Sequence, residues 1–457
     1  MNASNESTTE KNSSGSWLDV WKPEDETFWR DTGSKIAWRT LTLTTISLIL
    51  SFATWFVMSA LVVKLPSVGF PFDERQLFWL AAMPGLAGGT LRVVHTFLVP
   101  IAGTRLVISV ATLIKLIPVV GIGLAVVSPD TPYWMFMVLA LLLGMGGGDF
   151  SSYMPSTSLF FPKRLQGTAL GIQAGVGNFG VSLGQFVTPW IIGFAAFGAV
   201  AGSPQVFRSG EVVKDIWLQN AAIWYAPLLL VLGVLCWLML RSVPVRASFR
   251  EQLDIFKDKH TWFCTATYMM TFGSFAGFAA AFPLMIKVIY GDFPDAPDPL
   301  KYAFLGPLIG SATRVLFGFV ADKTGGGILT QITGVAMMVI CGVMIYTGVL
   351  TPTSIESFPL FVGLMLALFF FAGVGNASTF RQYPIVFGHN PRQGAQVLGW
   401  TGAVAAYGPF VFAVLIGESI EGLGSAVPFF ATAAVFYLVA TGINWFFYVR
   451  KGCERPS

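Results

Sequence analysis

Two arginines stand at corresponding places in two similar segments of this 457-residue chain. Residues 88–103 (GGTLRVVHTFLVPIAG) align with residues 310–325 (GSATRVLFGFVADKTG), so that Arg92 superposes on Arg314. The other identical positions are Gly88 with Gly310, Val93 with Val315, Phe97 with Phe319 and Gly103 with Gly325. Placing an arginine in the middle of a membrane-spanning helix costs roughly 3 kcal/mol of insertion free energy, so such a residue normally faces a cavity and has a functional role. The two guanidinium groups therefore predict a two-fold site that holds an anion.

The composition indicates an integral membrane protein. Hydrophobic residues make up 54% of the chain and charged residues 11%, with a mean hydropathy of +0.67, whereas a soluble domain carries about 25% charged residues. A helix needs about 20 apolar residues to cross the bilayer. We predict twelve such spans, at residues 40–63, 76–100, 104–127, 132–155, 166–195, 219–241, 260–290, 301–322, 327–350, 357–385, 395–418 and 427–449.

A second repeat divides the chain into two halves. Residues 146–155 (GGGDFSSYMP) align with residues 373–384 (GVGNASTFRQYP), which superposes Asp149 on Asn376. The first repeat relates spans 2 and 8, and the second relates spans 4 and 10. Parallel six-helix halves with a site at their interface are the architecture of the major facilitator fold. We predict an all-α membrane protein with twelve transmembrane helices in two pseudo-symmetric halves: a tail (1–39), an N-terminal half (40–241), a linker (242–259), a C-terminal half (260–449) and a short tail (450–457).

The placement of basic residues predicts the orientation. With the N-terminus inside, the inner loops and tails hold 18 Lys and Arg and the opposite loops hold six. The positive-inside rule then places both termini in the cytoplasm. These scattered charges give no support for nucleic-acid binding. The tryptophan-rich residues 17–39 suggest an amphipathic stretch at the headgroup level, and the Ser/Asn/Glu-rich residues 1–16 suggest disorder.

Nothing in the sequence indicates an enzyme. There is no nucleophile–base constellation and no phosphate-binding loop. The four cysteines show no metal-ligand spacing and no disulfide framework, because three of them (Cys236, Cys264 and Cys341) fall inside predicted helices. We expect no cofactor and no metal.

Glycines cluster in spans 5 and 11, at residues 167–185 (GTALGIQAGVGNFGVSLGQ) and 399–408 (GWTGAVAAYG). Small residues at this spacing let helix backbones approach closely, and packing alone could explain any one of these glycines. Asn178 lies within the first run and requires a hydrogen-bond partner. That partner could be a neighbouring helix or a ligand.

With these features, the chain resembles the NarK-type nitrate/nitrite porters of the major facilitator superfamily. The resemblance runs from WKPEDETFW in the tail through the span 2 arginine to SLFFPKRLQGTALGIQAGVGNFGVS in spans 4 and 5, and on through TFGSFAGFAAAF and YAFLGPLIGSATR in spans 7 and 8. The glycine run of span 5 corresponds to the family's nitrate signature. The second signature is looser here, since Ala405 and Pro409 stand where the family usually has glycine.

The resemblance implies a site for nitrate or nitrite. Arg92 and Arg314 would grip the anion, with further contacts from Asn178, Tyr268, Phe52, Phe150 and Phe272. This set suits nitrate, which is planar and fully ionised, because a guanidinium offers a planar fork to two of its oxygens. Phenylalanine rings above and below the anion would exclude water and strengthen the charge pairing. For each Phe taken alone, ordinary helix packing is the more usual explanation.

Three charged residues depart from the family pattern. Asp149 stands where asparagine is usual, Arg381 stands where a neutral polar residue is usual, and Lys115 lies midway along span 3. Asp149 could be paired with Arg381 or Lys115 as a structural compensation, or it could carry a proton that couples transport to the proton gradient. An Asp149–Arg381 bridge could form a gate in either case. His95, one turn after Arg92, could make a polar contact or relay a proton.

The sequence therefore predicts a secondary carrier of nitrate and nitrite that works by alternating access, as a monomer, in a bacterial inner membrane. Nitrate/nitrite antiport needs no protonatable group, whereas proton symport needs one. Two alternatives stay open: a carrier of another small anion, such as a carboxylate, and a membrane sensor that binds nitrate without transporting it.

Overall fold

The described chain consists almost entirely of helices. The structure is a computed structural model that describes residues 16–196, 202–209, 211–244 and 250–457. Residues 1–15 of the predicted tail, which include most of the stretch expected to be disordered, and residues 245–249 of the predicted linker lie outside this description. We number the helices α1 (Glu26–Leu61), α2 (74–102), α3 (104–125), α4 (Tyr133–Phe160), α5 (Lys163–Ile191), α6 (Asn220–Met239), α7 (Lys259–Tyr290), α8 (Leu300–Thr324), α9 (Gly326–Tyr346), α10 (Ile355–Val386), α11 (Pro391–Ala405 and Gly408–Leu423) and α12 (Val427–Val449).

Ten helices of the described residues are long and apolar enough to cross a membrane. One of them, Glu74–Ala125, has 52 residues and is broken at Gly103, so it supplies the two spans α2 and α3. Helix α5 has 29 residues, which is also sufficient length, but its polar and glycine-rich sequence lowers its hydropathy. The described helices are therefore consistent with the twelve predicted spans.

The glycines that end the first sequence repeat have a conformational role. Gly103 (φ +79°) separates α2 from α3, and Gly325 (φ +87°) separates α8 from α9. These left-handed conformations are accessible to glycine without the steric penalty that a Cβ atom would bring. The same turn thus occurs in both halves, which explains why the repeat extends to Gly103 and Gly325.

Four helices make the largest contacts between the two halves. Helix α2 packs against α11, and α5 packs against α8. Residues of α1 and α7 lie beside this interface, where the end of α1 contacts α7. Of the predicted substrate-binding residues, six therefore lie on these helices at the boundary between the halves: Phe52, Arg92, Asn178, Tyr268, Phe272 and Arg314.

Two segments differ from a simple loop-and-helix expectation. The connection between α5 and α6 contains an antiparallel hairpin, β1 (Gln205–Ser209) and β2 (Val212–Ile216), which the sequence did not predict. Helix α1 begins at Glu26, so its first turns lie within the segment assigned to the tail. Before it, Trp21 Nε1 donates to Leu159 O at 3.0 Å, which ties the tryptophan-rich segment to the end of α4.

The C-terminal residues dock against the C-terminal half. Glu454 accepts hydrogen bonds from Lys259 Nζ (2.7 Å) and pairs with His260 (3.1 Å). These two side-chain contacts lower the pKa of the exposed Glu454 carboxyl to about 2. Arg455 bonds to Asp258 at 2.8 Å, so the segment fastens the end of the linker to the start of α7.

Candidate anion site between the two halves

Arg92 is completely buried, and backbone carbonyl groups from both halves hold it. Its Nε donates to Gly147 O of α4 at 2.8 Å, and its Nη1 donates to Gly402 O of α11 at 2.7 Å. Its Nη2 has no hydrogen-bond acceptor within the protein. An unpaired charged donor in a buried place is unfavourable unless a ligand satisfies it. Arg92 therefore has one nitrogen available for an anion.

Arg314 occupies the corresponding place on α8 and is 6% exposed. Neither Nη1 nor Nη2 has an acceptor within the protein, so its full terminal fork is available. The guanidinium carbon lies 4.7 Å from the centre of the Phe380 ring. Tyr268 of α7 lies beside Arg314 and interacts electrostatically with both arginines. The two arginines that the repeats relate thus lie within electrostatic range of each other.

Aromatic rings surround the Arg92 guanidinium. Its Cζ lies 4.5 Å from the ring centre of Phe150, 5.2 Å from Phe272, 5.5 Å from Trp55 and 6.0 Å from Phe52. Each such contact attracts a cation to the face of the ring. Because Phe150 belongs to the N-terminal half and Phe272 to the C-terminal half, rings from both halves reach the same guanidinium.

Two of the rings that contact the arginines were not predicted from the sequence: Trp55 at Arg92 and Phe380 at Arg314. Trp55 stands three residues after Phe52, and helical periodicity would have placed it on the same face of α1. Phe380 superposes on Tyr153 in the second repeat and precedes Arg381. The repeat therefore marked its position, although not the direction of its side chain.

Asn178 is fully buried, and both its side-chain Nδ2 and Oδ1 atoms lack partners within the protein. It lies on a stripe of α5 that faces α8. In that stripe, a Cβ atom added to Gly175 would lie 2.9 Å from Val315, and Ser182 donates to Phe304 O at 3.1 Å. Asn178 falls between these two contacts at helical spacing, so it faces the helix that carries Arg314.

Asp149 forms a buried ion pair with Lys115. Its Oδ2 accepts hydrogen bonds from Lys115 Nζ and from Ser51 Oγ (2.8 Å), and Lys115 Nζ also donates to Ser51 Oγ at 2.9 Å. Both side chains are 1% exposed. Asp149 Oδ1 has no partner within the protein. Of the two pairings that the sequence left open, the structure contains the one with Lys115.

Arg381 does not join this cluster, so the suggested Asp149–Arg381 gate is absent from this conformation. Its Nε lies 3.0 Å from Asp322 Oδ1, and both side chains are well exposed. The physical reason is that Arg381 follows Phe380 on α10 of the C-terminal half and points away from the interior. His95 Nδ1 lies 2.8 Å from Ser152 Oγ, so this side chain makes a polar contact with α4.

Comparison with known proteins identifies the family of this chain. The sequence model of the Major Facilitator Superfamily matches residues 43–413. The chain is 56% identical to the probable nitrate/nitrite antiporter NarK2 of Thermus thermophilus, over 98% of this chain and 99% of that one. It is 37% identical to the nitrate/nitrite transporter NarU of Escherichia coli K12, over 94% of this chain and 96% of that one. The chain belongs to the NarK-type porters of the major facilitator superfamily.

The fold prediction is confirmed by the superfamily match and by a solved structure. The crystal structure of a bacterial homolog of the human lysosomal transporter Spinster, inward-facing and unoccupied, superposes with a TM-score of 0.64. That protein is 15% identical, and the match covers 89% of this chain and 97% of the other. At this identity the likeness concerns the fold alone. Membership of a transporter family also agrees with the expectation that the chain is not an enzyme.

One end of the interface between the halves of this NarK-type porter is closed by ionic and polar contacts. Lys64 pairs with Asp298 at 3.0 Å, and Arg75 pairs with Glu418 at 2.8 Å. Gln185 Nε2 also donates to Ala279 O at 2.9 Å. Each of these contacts joins the N-terminal half to the C-terminal half. They lie at the end of the molecule opposite to the termini.

At the other end, α5 and α8 separate. These helices meet where Gly175 approaches Val315, but a Cβ atom added to Gly171 or to Gly318 would meet no atom within 4 Å. Gly171 is one turn from Gly175 on the same face of α5, so this face has lost contact with α8 within one turn. The interface is thus closed beyond the arginines on one side and looser on the side of the termini.

Proposed function

We propose that this protein carries nitrate and nitrite across the bacterial inner membrane by alternating access. The observation that carries the proposal is a set of three buried guanidinium nitrogens, Arg92 Nη2 and both Nη atoms of Arg314, which have no acceptor within the protein. Such donors are stabilised by an anion, and their planar arrangement suits an oxyanion. The NarK2 and NarU relatives, which are named as nitrate/nitrite transporters, support nitrate and nitrite as that anion.

The anion would bridge the two halves. Arg314 would offer its fork to two oxygens, while Arg92 would add one nitrogen, because its other two donors hold carbonyl groups. Phe150 and Phe272 would cover the anion and exclude water, which strengthens each charge-assisted hydrogen bond. Asn178 and Tyr268 would complete the contacts. The resulting site would have hydrogen-bond donors on both halves. A carrier requires this if the bound anion is to draw the two halves together around it.

We infer that the termini lie in the cytoplasm, from the distribution of Lys and Arg. The ionic contacts Lys64–Asp298 and Arg75–Glu418 would then close the periplasmic side, so that the site communicates with the cytoplasm. Each chain contains both halves and both arginines, so a monomer would suffice for transport.

We propose antiport as the coupling mode. The Lys115–Asp149 pair compensates its own charge, which leaves the two arginines as the uncompensated buried cations of the site. A loaded site, with its positive charge reduced by the anion, would reorient more readily than an unloaded one, because moving charge into the low-dielectric interior is unfavourable. Nitrate entering and nitrite leaving would then alternate in the same site.

Proton symport is the second candidate, because Asp149 Oδ1 has no donor within the protein and could receive a proton. Counterflow in proteoliposomes separates the two. For antiport we expect nitrate uptake to require internal nitrite or nitrate and to be unaffected by a pH gradient. Net uptake into anion-free vesicles, driven by an inward proton gradient, would favour symport. Nitrate binding without any exchange would contradict transport and favour a sensor, and equal exchange of formate would favour a carboxylate carrier.

A further inference from the structure

Asn376 on α10 is a second buried asparagine without partners. It is 0% exposed, and both its Nδ2 and its Oδ1 lack hydrogen-bond partners within the protein. Among the amide side chains that the structure describes, this holds only for Asn178 and Asn376. Buried amides are normally hydrogen-bonded, and each exception requires an explanation. The explanation for Asn178 is that it faces α8, the helix of Arg314, where it can contact the anion. The unpaired amide of Asn376 requires a separate explanation.

The position of Asn376 on α10 directs it toward the same helix. One turn before it, the backbone of Gly373 is packed against Gly310 and Thr313 of α8. One turn after it, the Phe380 ring lies 4.7 Å from the guanidinium carbon of Arg314. Residues at spacings of three and four share one helix face. Asn376 therefore lies on the stripe of α10 that faces α8, between the contact with Thr313 and the contact with Arg314.

The other half of the molecule uses the equivalent position differently. The second repeat superposes Asn376 on Asp149, whose carboxylate is paired with Lys115. The offset that superposes Gly103 on Gly325 places Met337 opposite Lys115. Met337 is fully buried and apolar, so it gives Asn376 no cation to bind. Asp149 is thus engaged within its own half, whereas Asn376 remains available to a ligand.

We propose that Asn376 is a substrate-contacting residue that makes the site favour nitrate over nitrite. The inference rests on the proposed function, because it takes nitrate and nitrite as the anions that Arg314 binds. The Arg314 fork engages two oxygens, which are all the oxygens of nitrite. Nitrate has a third oxygen. Asn376 lies in the same half as Arg314, on the stripe of α10 that faces α8, and its Nδ2 donates to this third oxygen. A group placed to bond one substrate oxygen discriminates against the analogue that lacks it.

The test is Asn376→Leu, which keeps the approximate volume and removes the hydrogen-bonding atoms. We expect nitrate binding to the purified protein, measured by calorimetry, to weaken about tenfold, the loss typical of one hydrogen bond to an ion. Nitrite binding should change by less than about twofold. Without ligand, Asn376→Leu should melt at or above the wild-type temperature, because an unsatisfied buried amide has been removed.

Asn444 provides the matched control, because it is also fully buried but its amide is satisfied. Its Nδ2 donates to Gly327 O and Gln331 Oε1, and its Oδ1 accepts from Gln382. Asn444→Leu should lower the melting temperature and leave the nitrate-to-nitrite affinity ratio of the folded protein unchanged.

Three results would overturn the assignment of Asn376. The first is an unchanged nitrate affinity in Asn376→Leu, and the second is an equal loss of affinity for nitrate and nitrite. The third is a lowered melting temperature with an unchanged nitrate-to-nitrite affinity ratio, which would make Asn376 structural. The proposed function fails independently of these results, if the wild-type protein binds neither anion.

Discussion

Arg92 Nη1 donates to the carbonyl oxygen of Gly402 at 2.7 Å, and this bond joins the two halves of the protein. Arg92 lies on α2 of the N-terminal half, and Gly402 lies on α11 of the C-terminal half. The guanidinium proposed to bind substrate is therefore also bonded to the half that must move relative to it. One planar group fills both tasks because its three nitrogens point in different directions.

The first prediction concerns the two guanidinium groups. Arg92→Lys and Arg314→Lys should each nearly abolish nitrate/nitrite exchange in proteoliposomes while leaving expression intact. Lysine keeps the charge but has one nitrogen. At position 92 it cannot hold two carbonyl groups and an anion together, and at position 314 it cannot present a planar fork. Arg30→Lys, at an exposed pair with Asp31, is the control and should exchange like wild type. Uptake within about threefold of wild type in either site variant would contradict the guanidinium site.

The second prediction separates the aromatic cage from ordinary packing. Phe150→Ala and Phe272→Ala should weaken nitrate affinity more than they lower stability, because these rings cover the Arg92 guanidinium and the proposed anion. The control is Phe282→Ala, since Phe282 is fully buried against Phe361 and Phe369. It should cost about 3–5 kcal/mol of stability with the affinity of the folded protein unchanged. Calorimetry measures the nitrate affinity and thermal melting measures the stability. An unchanged affinity in both site variants would mean that Phe150 and Phe272 serve only helix packing.

The third prediction concerns the buried ion pair. Asp149→Asn should leave Lys115 as an unpaired buried cation and cost about 3–5 kcal/mol, visible as a lower melting temperature and yield. The double change Asp149→Asn with Lys115→Met reproduces the residues found at the corresponding places of the C-terminal half, Asn376 and Met337. It should recover folding and exchange.

Arg381→Gln is the matched control for that rescue, because Arg381 pairs with Asp322 and does not contact Asp149. Combined with Asp149→Asn, it should give no recovery. A pH gradient could drive nitrate uptake by the wild-type protein. If the variant with Asp149→Asn and Lys115→Met folds but loses that uptake, Asp149 carries the coupling proton. Rescue by Arg381→Gln would show that the two residues pair in another conformation.

The fourth prediction concerns the closed end of the interface. Lys64→Gln combined with Glu418→Gln removes both ionic contacts between the halves and should favour opening at that end. Partly exposed pairs contribute about 0.2–1 kcal/mol each, so the shift should be a few-fold. In a variant without the natural cysteines, Ala279→Cys, 1% exposed here, should react faster with an impermeant maleimide added outside. Arg30→Gln should leave the rate unchanged, and an unchanged rate in the double variant would mean that these pairs do not hold the end closed.

Much of the fold follows from the sequence alone. The number and length of the apolar runs indicate the spans, because the bilayer sets the length of a helix that crosses it. The repeats around Arg92 and Arg314, with Gly103 and Gly325 at their ends, indicate two related halves, since the same turn requires glycine in each. The depth of the arginines in apolar segments was sufficient to suggest an anion site.

The pairing of side chains was decided only by the tertiary structure. Asp149 has two basic candidates in the sequence, and Lys115 is its partner because α3 and α4 belong to the same half while Arg381 points outward from the other. The roles of Trp55, Phe380 and Asn376 likewise depend on which neighbour each helix face meets. A hydropathy pattern records how apolar a segment is along the chain. The lateral packing and rotation of twelve helices depend on contacts between residues far apart in sequence, and these contacts exist only once the halves have folded.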